Sequence, residues 1–112
     1  MTATPATAVA LMRSRFSAFA VGAKDYLLRT WHPSTRPREF DLEDQMEWTR
    51  LEIVDCSGGG LFDSAGIVEF RAYYLIAGDD GVVAERSSFS RDDGRWVYVR
   101  GELCRRSDST VA

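Results

Sequence analysis

Two Asp-Gly pairs, Asp80-Gly81 and Asp93-Gly94, constrain this chain more than any other feature, because each separates runs of strand-forming residues. A two-residue hairpin turn of the favoured kind needs positive φ at both central positions, and Asp-Gly supplies it cheaply. The runs 48–55, 67–77, 82–91 and 95–103 are rich in Val, Ile, Phe, Tyr and Trp, the residues that suit a pleated, half-buried surface. The last three therefore form a tight antiparallel meander. The first joins them across a longer glycine-rich stretch containing Gly58-Gly59-Gly60.

The turns imply a register. With Asp80-Gly81 as the turn, Ile76 faces Glu85, Tyr74 faces Ser87 and Ala72 faces Phe89. With Asp93-Gly94 as the turn, Arg91 faces Trp96, Phe89 faces Tyr98, Ser87 faces Arg100 and Glu85 faces Glu102. Successive side chains alternate across a sheet, so these residues share one face with Val68 and Phe70, the more apolar alternates of their strand. That face is expected to be covered, and the helical part of the chain is available to cover it. A slip of one residue would turn a strand inside out.

The helical part comes first. Thr4-Pro5 reads as a helix start and Gly22 as its left-handed stop. Between them Val9, Met12, Phe16, Phe19 and Ala20 recur at spacings of three and four, giving one apolar stripe. Arg15 lies at the edge of that stripe. A second helix is expected over 24–30, adding Tyr26, Leu27 and Trp31 to the core, and Pro33 and Pro37 make 32–37 a loop. Asp41-Leu42-Glu43-Asp44 is read as one further helical turn, and the tail after Cys104 as frayed. The expected fold class is α+β: N-terminal helices packed on a curved antiparallel sheet of about four strands, in one domain over 1–112 with an ordered core of about 4–104.

Composition then limits function. At 112 residues, with 45% apolar and 28% charged content and a net charge of −3, the chain has a globular balance and no basic field for nucleic acid. Cys56 and Cys104 match no zinc spacing. No apolar run approaches the ~20 residues of a membrane span, and the start has no basic region ahead of an apolar stretch. A cytoplasmic protein with reduced thiols, no membrane or nucleic-acid partner, no metal and no cofactor is expected. No nucleophile elbow or phosphate loop is present. Arg105-Arg106 is too short for a nucleic-acid patch. His32, the only histidine, sits in a Trp-His-Pro loop with no neighbouring acid to orient it and reads as a surface or structural residue.

Five stretches resemble the YchJ-like (UPF0225) bacterial proteins: Ala10-Leu11-Met12-Arg13-Ser14-Arg15-Phe16-Ser17-Ala18-Phe19; Asp25-Tyr26-Leu27-Leu28-Arg29-Thr30-Trp31-His32-Pro33; Gly66-Ile67-Val68-Glu69-Phe70-Arg71-Ala72-Tyr73-Tyr74; Glu85-Arg86-Ser87-Ser88-Phe89; and Gly94-Arg95-Trp96-Val97-Tyr98-Val99. The resemblance implies a nuclear-transport-factor-2-like cone, in which helices close one side of a curved sheet. Longer family members carry a cysteine-rich SEC-C segment ahead of this domain, which 1–112 does not contain. Many members have His before the Glu-Arg-Ser run, where this chain has Ala84. The family implies no established reaction.

Three readings of function stay open. In the first, the chain is a non-enzymatic small-ligand-binding or accessory domain, with Arg15, Trp31, Tyr74, Glu85, Ser87, Trp96, Tyr98 and Arg100 lining a pocket. That pocket would take a small anionic or polar ligand at its arginines. In the second, it is an isomerase, dehydratase or hydrolase using Glu85 as base and Tyr74, Ser87 or Arg100 as oxyanion partners, an analogy of fold alone. In the third, it is an interaction module. Tyr73, Val97, Val99, Ile67 and Leu75 then form an apolar outer strip through which a homodimer assembles. A structural ion pair between Arg15 and Glu85 is the plain alternative to a pocket mouth.

Overall fold

The structure, a computed structural model, describes residues 4–42 and 45–104. Helix α1 (Ala8–Val21) is followed by the short α2 (Lys24–Arg29) and by strands β1 (Met46–Gly58), β2 (Ala65–Ile76), β3 (Asp79–Asp92) and β4 (Arg95–Leu103). The strands form one antiparallel sheet in sequence order; α1 lies over its inner face and α2 packs against α1. Helix α1 begins later than expected. Thr7, not Thr4, is the cap: its backbone is extended and its Oγ1 accepts from the Ala10 N–H at 3.1 Å. Gly22 closes the helix with φ 77°. Asp41 and Leu42 carry no helical turn, while Glu43 and Asp44 lie outside the described residues, as do Arg105-Arg106 and the tail.

The β3–β4 hairpin turns at Asp93-Gly94 with φ 56° and 82°, as expected. The β2–β3 hairpin does not turn at Asp80-Gly81. Its turn is Ala77-Gly78, with φ 52° and 85°, so Ile76 faces Asp79 rather than Glu85. The longer ladder accounts for the choice. With β3 ending at Asp92, the expected turn would pair Asp92 with Glu69 and strand Ala65 to Val68 without partners. The observed one pairs every residue of β2. The slip of six residues is even, so every side chain keeps its face but moves along the sheet: Phe70 faces Glu85, Val68 faces Ser87 and Ala72 faces Val83.

A second departure has the opposite consequence. β4 follows the expected register as far as Phe89↔Tyr98, and then a bulge at Val99 shifts it by one, pairing Ser88 with Arg100, Ser87 with Gly101 and Glu85 with Leu103. An odd slip exchanges faces. Arg100 and Glu102 therefore leave the inner face and are exposed.

Leu11 and Met12 of α1, Val68 and Phe70 of β2, Phe89 of β3 and Trp96 of β4 are buried together. The buried row of α1 is Ala8, Leu11, Met12, Arg15 and Ala18, which puts Arg15 at its centre; Phe16 and Phe19 are only half-buried. The outer face is less apolar than expected. Val97 is buried, Tyr73 donates to Glu52 and lies under Arg50, and Arg71–Glu52 and Arg86–Glu69 ion pairs cross the strands. Among the described residues no helix is long and apolar enough to cross a membrane.

Candidate functional site

Half-buried aromatics on α1 imply a gap beneath them, and a cavity of about 220 Å³ lies between α1 and the inner face of the sheet. Phe16, Phe19 and Trp48 wall one side in edge-to-face and tilted contacts, with centroid separations of 6.1 and 6.2 Å. Phe70, Ala72 and Val83 form the floor. Arg15, Trp31, Glu85, Ser87 and Tyr98 bring the polar groups.

Trp31 reaches the cavity because the chain after α2 adds itself to the edge of β4. The Tyr98 N–H donates to Thr30 O and the His32 N–H to Tyr98 O, each at 2.8 Å. The Trp31 ring then packs edge-on against Tyr98 and Phe40, at 5.2 and 5.4 Å. Its Nε1 is buried and has no hydrogen-bond partner among the described residues. Buried N–H groups are seldom left so.

Arg15 is only 3% exposed, although no carboxylate among the described residues forms an ion pair with it. Its Nη1 donates to Leu27 O at 2.8 Å and Thr30 Oγ1 at 2.7 Å, satisfying the end of α2. Its guanidinium lies 4.6 Å from the Tyr98 ring centroid and 5.3 Å from that of Trp31, cation–π contacts made stronger by desolvation. Burial lowers its pKa from 12.5 to about 10, against attraction to Tyr98, Tyr26 and Glu85. Arg15 therefore remains a cation at neutral pH.

Glu85 stands at the other end of the same tyrosine. Its Oε2 accepts from Ser87 Oγ at 2.9 Å, and its charge acts on the nearby Tyr98 phenol. Burial, and then the nearby Glu85 charge, raise the Tyr98 pKa from 10.0 to about 12. The Val99 bulge makes room for this arrangement: it sets Gly101 opposite Ser87, where a Cβ would collide with Glu85 Oε2.

Of the expected pocket residues, the structure brings together Arg15, Trp31, Glu85, Ser87 and Tyr98. It does not bring in the other three. Tyr74 lies beyond the cavity lining, edge-on to Trp48 at 5.3 Å and packed on Gly81. Trp96 is core, its Nε1 donating to Ala6 O at 3.1 Å. Arg100 is on the outer face. His32 is also apart, its Nδ1 accepting from Ser34. Trp48 and Gly101 were missed. Trp48 is an inner alternate of its strand and could have been found by that parity; Gly101 enters only through the bulge. Among the described residues no group of His, Cys, Asp and Glu could hold a metal.

A family profile described as the YchJ middle nuclear-transport-factor-2-like domain matches residues 7–101. The chain belongs to the YchJ-like (UPF0225) family. A UPF0225 protein of Corynebacterium efficiens is 55% identical over 97 residues, covering 87% of this chain and 74% of the relative. One from Streptomyces coelicolor is 54% identical over 102 residues, covering 91% and 79%. Among solved structures, a SEC-C motif containing protein from Rhodopseudomonas palustris superposes with TM-score 0.79 at 32% identity, covering 93% of this chain and 84% of that one. Another, from Psychrobacter arcticus, gives TM-score 0.72 at 24% identity and shares the fold. The YchJ-like cone is thus the α+β architecture described above, and its covered concavity is the cavity under α1.

Proposed function

We infer that this YchJ-like domain binds a small, largely aromatic molecule in the cavity beneath α1 and works as a ligand-binding or accessory domain rather than through catalysis. The observation that carries this is the mismatch inside the cavity. Its walls are aromatic, yet Arg15 is buried there with no ion-pair partner among the described residues. A few fixed polar groups in a mostly apolar concavity are what small-molecule sites present. At about 220 Å³ the space is below the ~300 Å³ at which drug-sized sites begin, so the ligand is one or two rings. Catalysis by Glu85 is less well supported. Of its expected oxyanion partners, Ser87 already donates to the Glu85 carboxylate, and Tyr74 and Arg100 lie outside the cavity lining.

The test is a metabolite library screened by thermal melting against wild type and a Val83→Phe variant, which fills the floor. Ligand at a hundred times its Kd adds ~2.7 kcal/mol, a shift on the order of 10 °C for a domain this size. A shift seen in wild type and lost in the variant is the expected result. Equal shifts in both would put the ligand elsewhere, and no shift from any compound would remove the reading.

A further inference from the structure

The cavity contains one cation and one anion, and Tyr98 lies beside both. Arg15 lies over the face of its ring, 4.6 Å from the centroid, while Glu85 accepts from Ser87 Oγ at 2.9 Å. Both line the same space. With Arg100 turned to the outer face by the Val99 bulge, no second arginine among the cavity-lining residues offsets Glu85. An anionic ligand drawn to Arg15 would therefore meet the Glu85 carboxylate inside a poorly screened site, where like charges a few ångströms apart repel strongly. A purely apolar ligand would leave the buried Arg15 charge without a polar contact in the cavity. Arg15 uses only Nη1 in its hydrogen bonds to the described residues, so Nε and Nη2 remain as donors. The site thus offers donors at Arg15 and an acceptor at Glu85, walled by Phe16, Trp48 and Phe70.

We propose that the cavity selects a neutral, planar aromatic carboxamide or amino-heterocycle, its carbonyl or ring nitrogen taking the Arg15 donors and its N–H group meeting Glu85. This rests on the ligand-binding reading above and names the class of ligand. Benzamide, benzoate and toluene, nearly equal in shape, test it when titrated by calorimetry into the full chain. Benzamide should bind at least about tenfold more tightly than benzoate, a ratio set by the Glu85 charge. In Glu85→Gln, which keeps the side-chain shape and an acceptor for Ser87, benzoate should gain about tenfold and the ratio should close or invert. Benzoate equal to or tighter than benzamide in wild type would overturn the proposal without any variant, and so would a ratio unchanged in Glu85→Gln. Toluene binding alone, abolished by Val83→Phe, would overturn the ligand class and leave cavity binding standing. If no probe binds, both readings fail.

Discussion

Phe70 and Phe89 are inner-face phenylalanines of similar burial, 6% and 1% exposed, but they stand in different surroundings. Phe89 is packed within the core and edge-on to Tyr98 at 5.9 Å, whereas Phe70 forms part of the cavity floor. Truncating a buried phenylalanine to alanine costs ~3–5 kcal/mol, the sum of lost transfer energy and of the void left behind. Phe89→Ala opens a new void among close-packed atoms and should lie near the top of that range, at about 4–5 kcal/mol. At Phe70 one side of the ring already faces empty space, so fewer dispersion contacts are lost there. Phe70→Ala should fall near ~3 kcal/mol. Urea unfolding with linear extrapolation measures both, provided the m-values agree with wild type. The expected gap of about 1 kcal/mol corresponds to a difference of roughly 4–8 °C in Tm. Equal costs, or a larger cost at Phe70, would mean that no cavity lies beneath α1, and the functional argument would go with it.

Removing the cap in Thr7→Ala should cost ~1 kcal/mol, while Thr4→Ala should leave the unfolding midpoint in place; the reverse order would put the start of α1 back at Thr4. The raised Tyr98 pKa, about 12 against 10.0, stabilises the fold fully below pH 10. That contribution is lost as pH rises towards 12, because the unfolded chain releases the phenolic proton first. Stability curves of wild type and Tyr98→Phe should therefore converge over that interval, and parallel curves would contradict the assignment. Gly81→Ala, which sets a Cβ against the Tyr74 ring, should destabilise by 1–3 kcal/mol as overpacking does; were the turn at Asp80-Gly81 instead, Gly81 would be exposed at a hairpin tip away from Tyr74. Assembly of two copies through the outer sheet face would make sedimentation concentration-dependent, and a single monomer boundary at high micromolar concentration would exclude it.

The cavity was partly legible in the sequence, and the limits have physical causes. Arg15, Glu85, Ser87 and Tyr98 were placed on the covered side by alternation and helical spacing, which depend only on neighbours a few residues away. Trp31 was assigned to the core by its position after α2, though its bridge to β4 has no local sign. Arg100 was misplaced because one extra residue, Val99, reverses everything after it. A bulge on an edge strand is chosen by what meets it, here the Glu85 carboxylate needing the space over Gly101 and the Trp31 segment pairing with Tyr98.

The two hairpins show the same division. Asp-Gly at 93–94 and Ala-Gly at 77–78 both take the positive φ values that a tight turn requires, and a local preference would favour Asp80-Gly81 over the second. The sequence by itself determined the order of elements, which alternates face the helices as far as Tyr98, and that the β3–β4 turn is Asp93-Gly94. Only the tertiary structure decided which of two admissible turns joins β2 to β3, because that choice depends on pairing the whole length of β2, a sum over many hydrogen bonds that outweighs the preference of two residues. It likewise decided that Arg15 is enclosed while Arg100 is in solvent: spacing sets the direction of a side chain, but only the elements packed above it determine whether water reaches its charge.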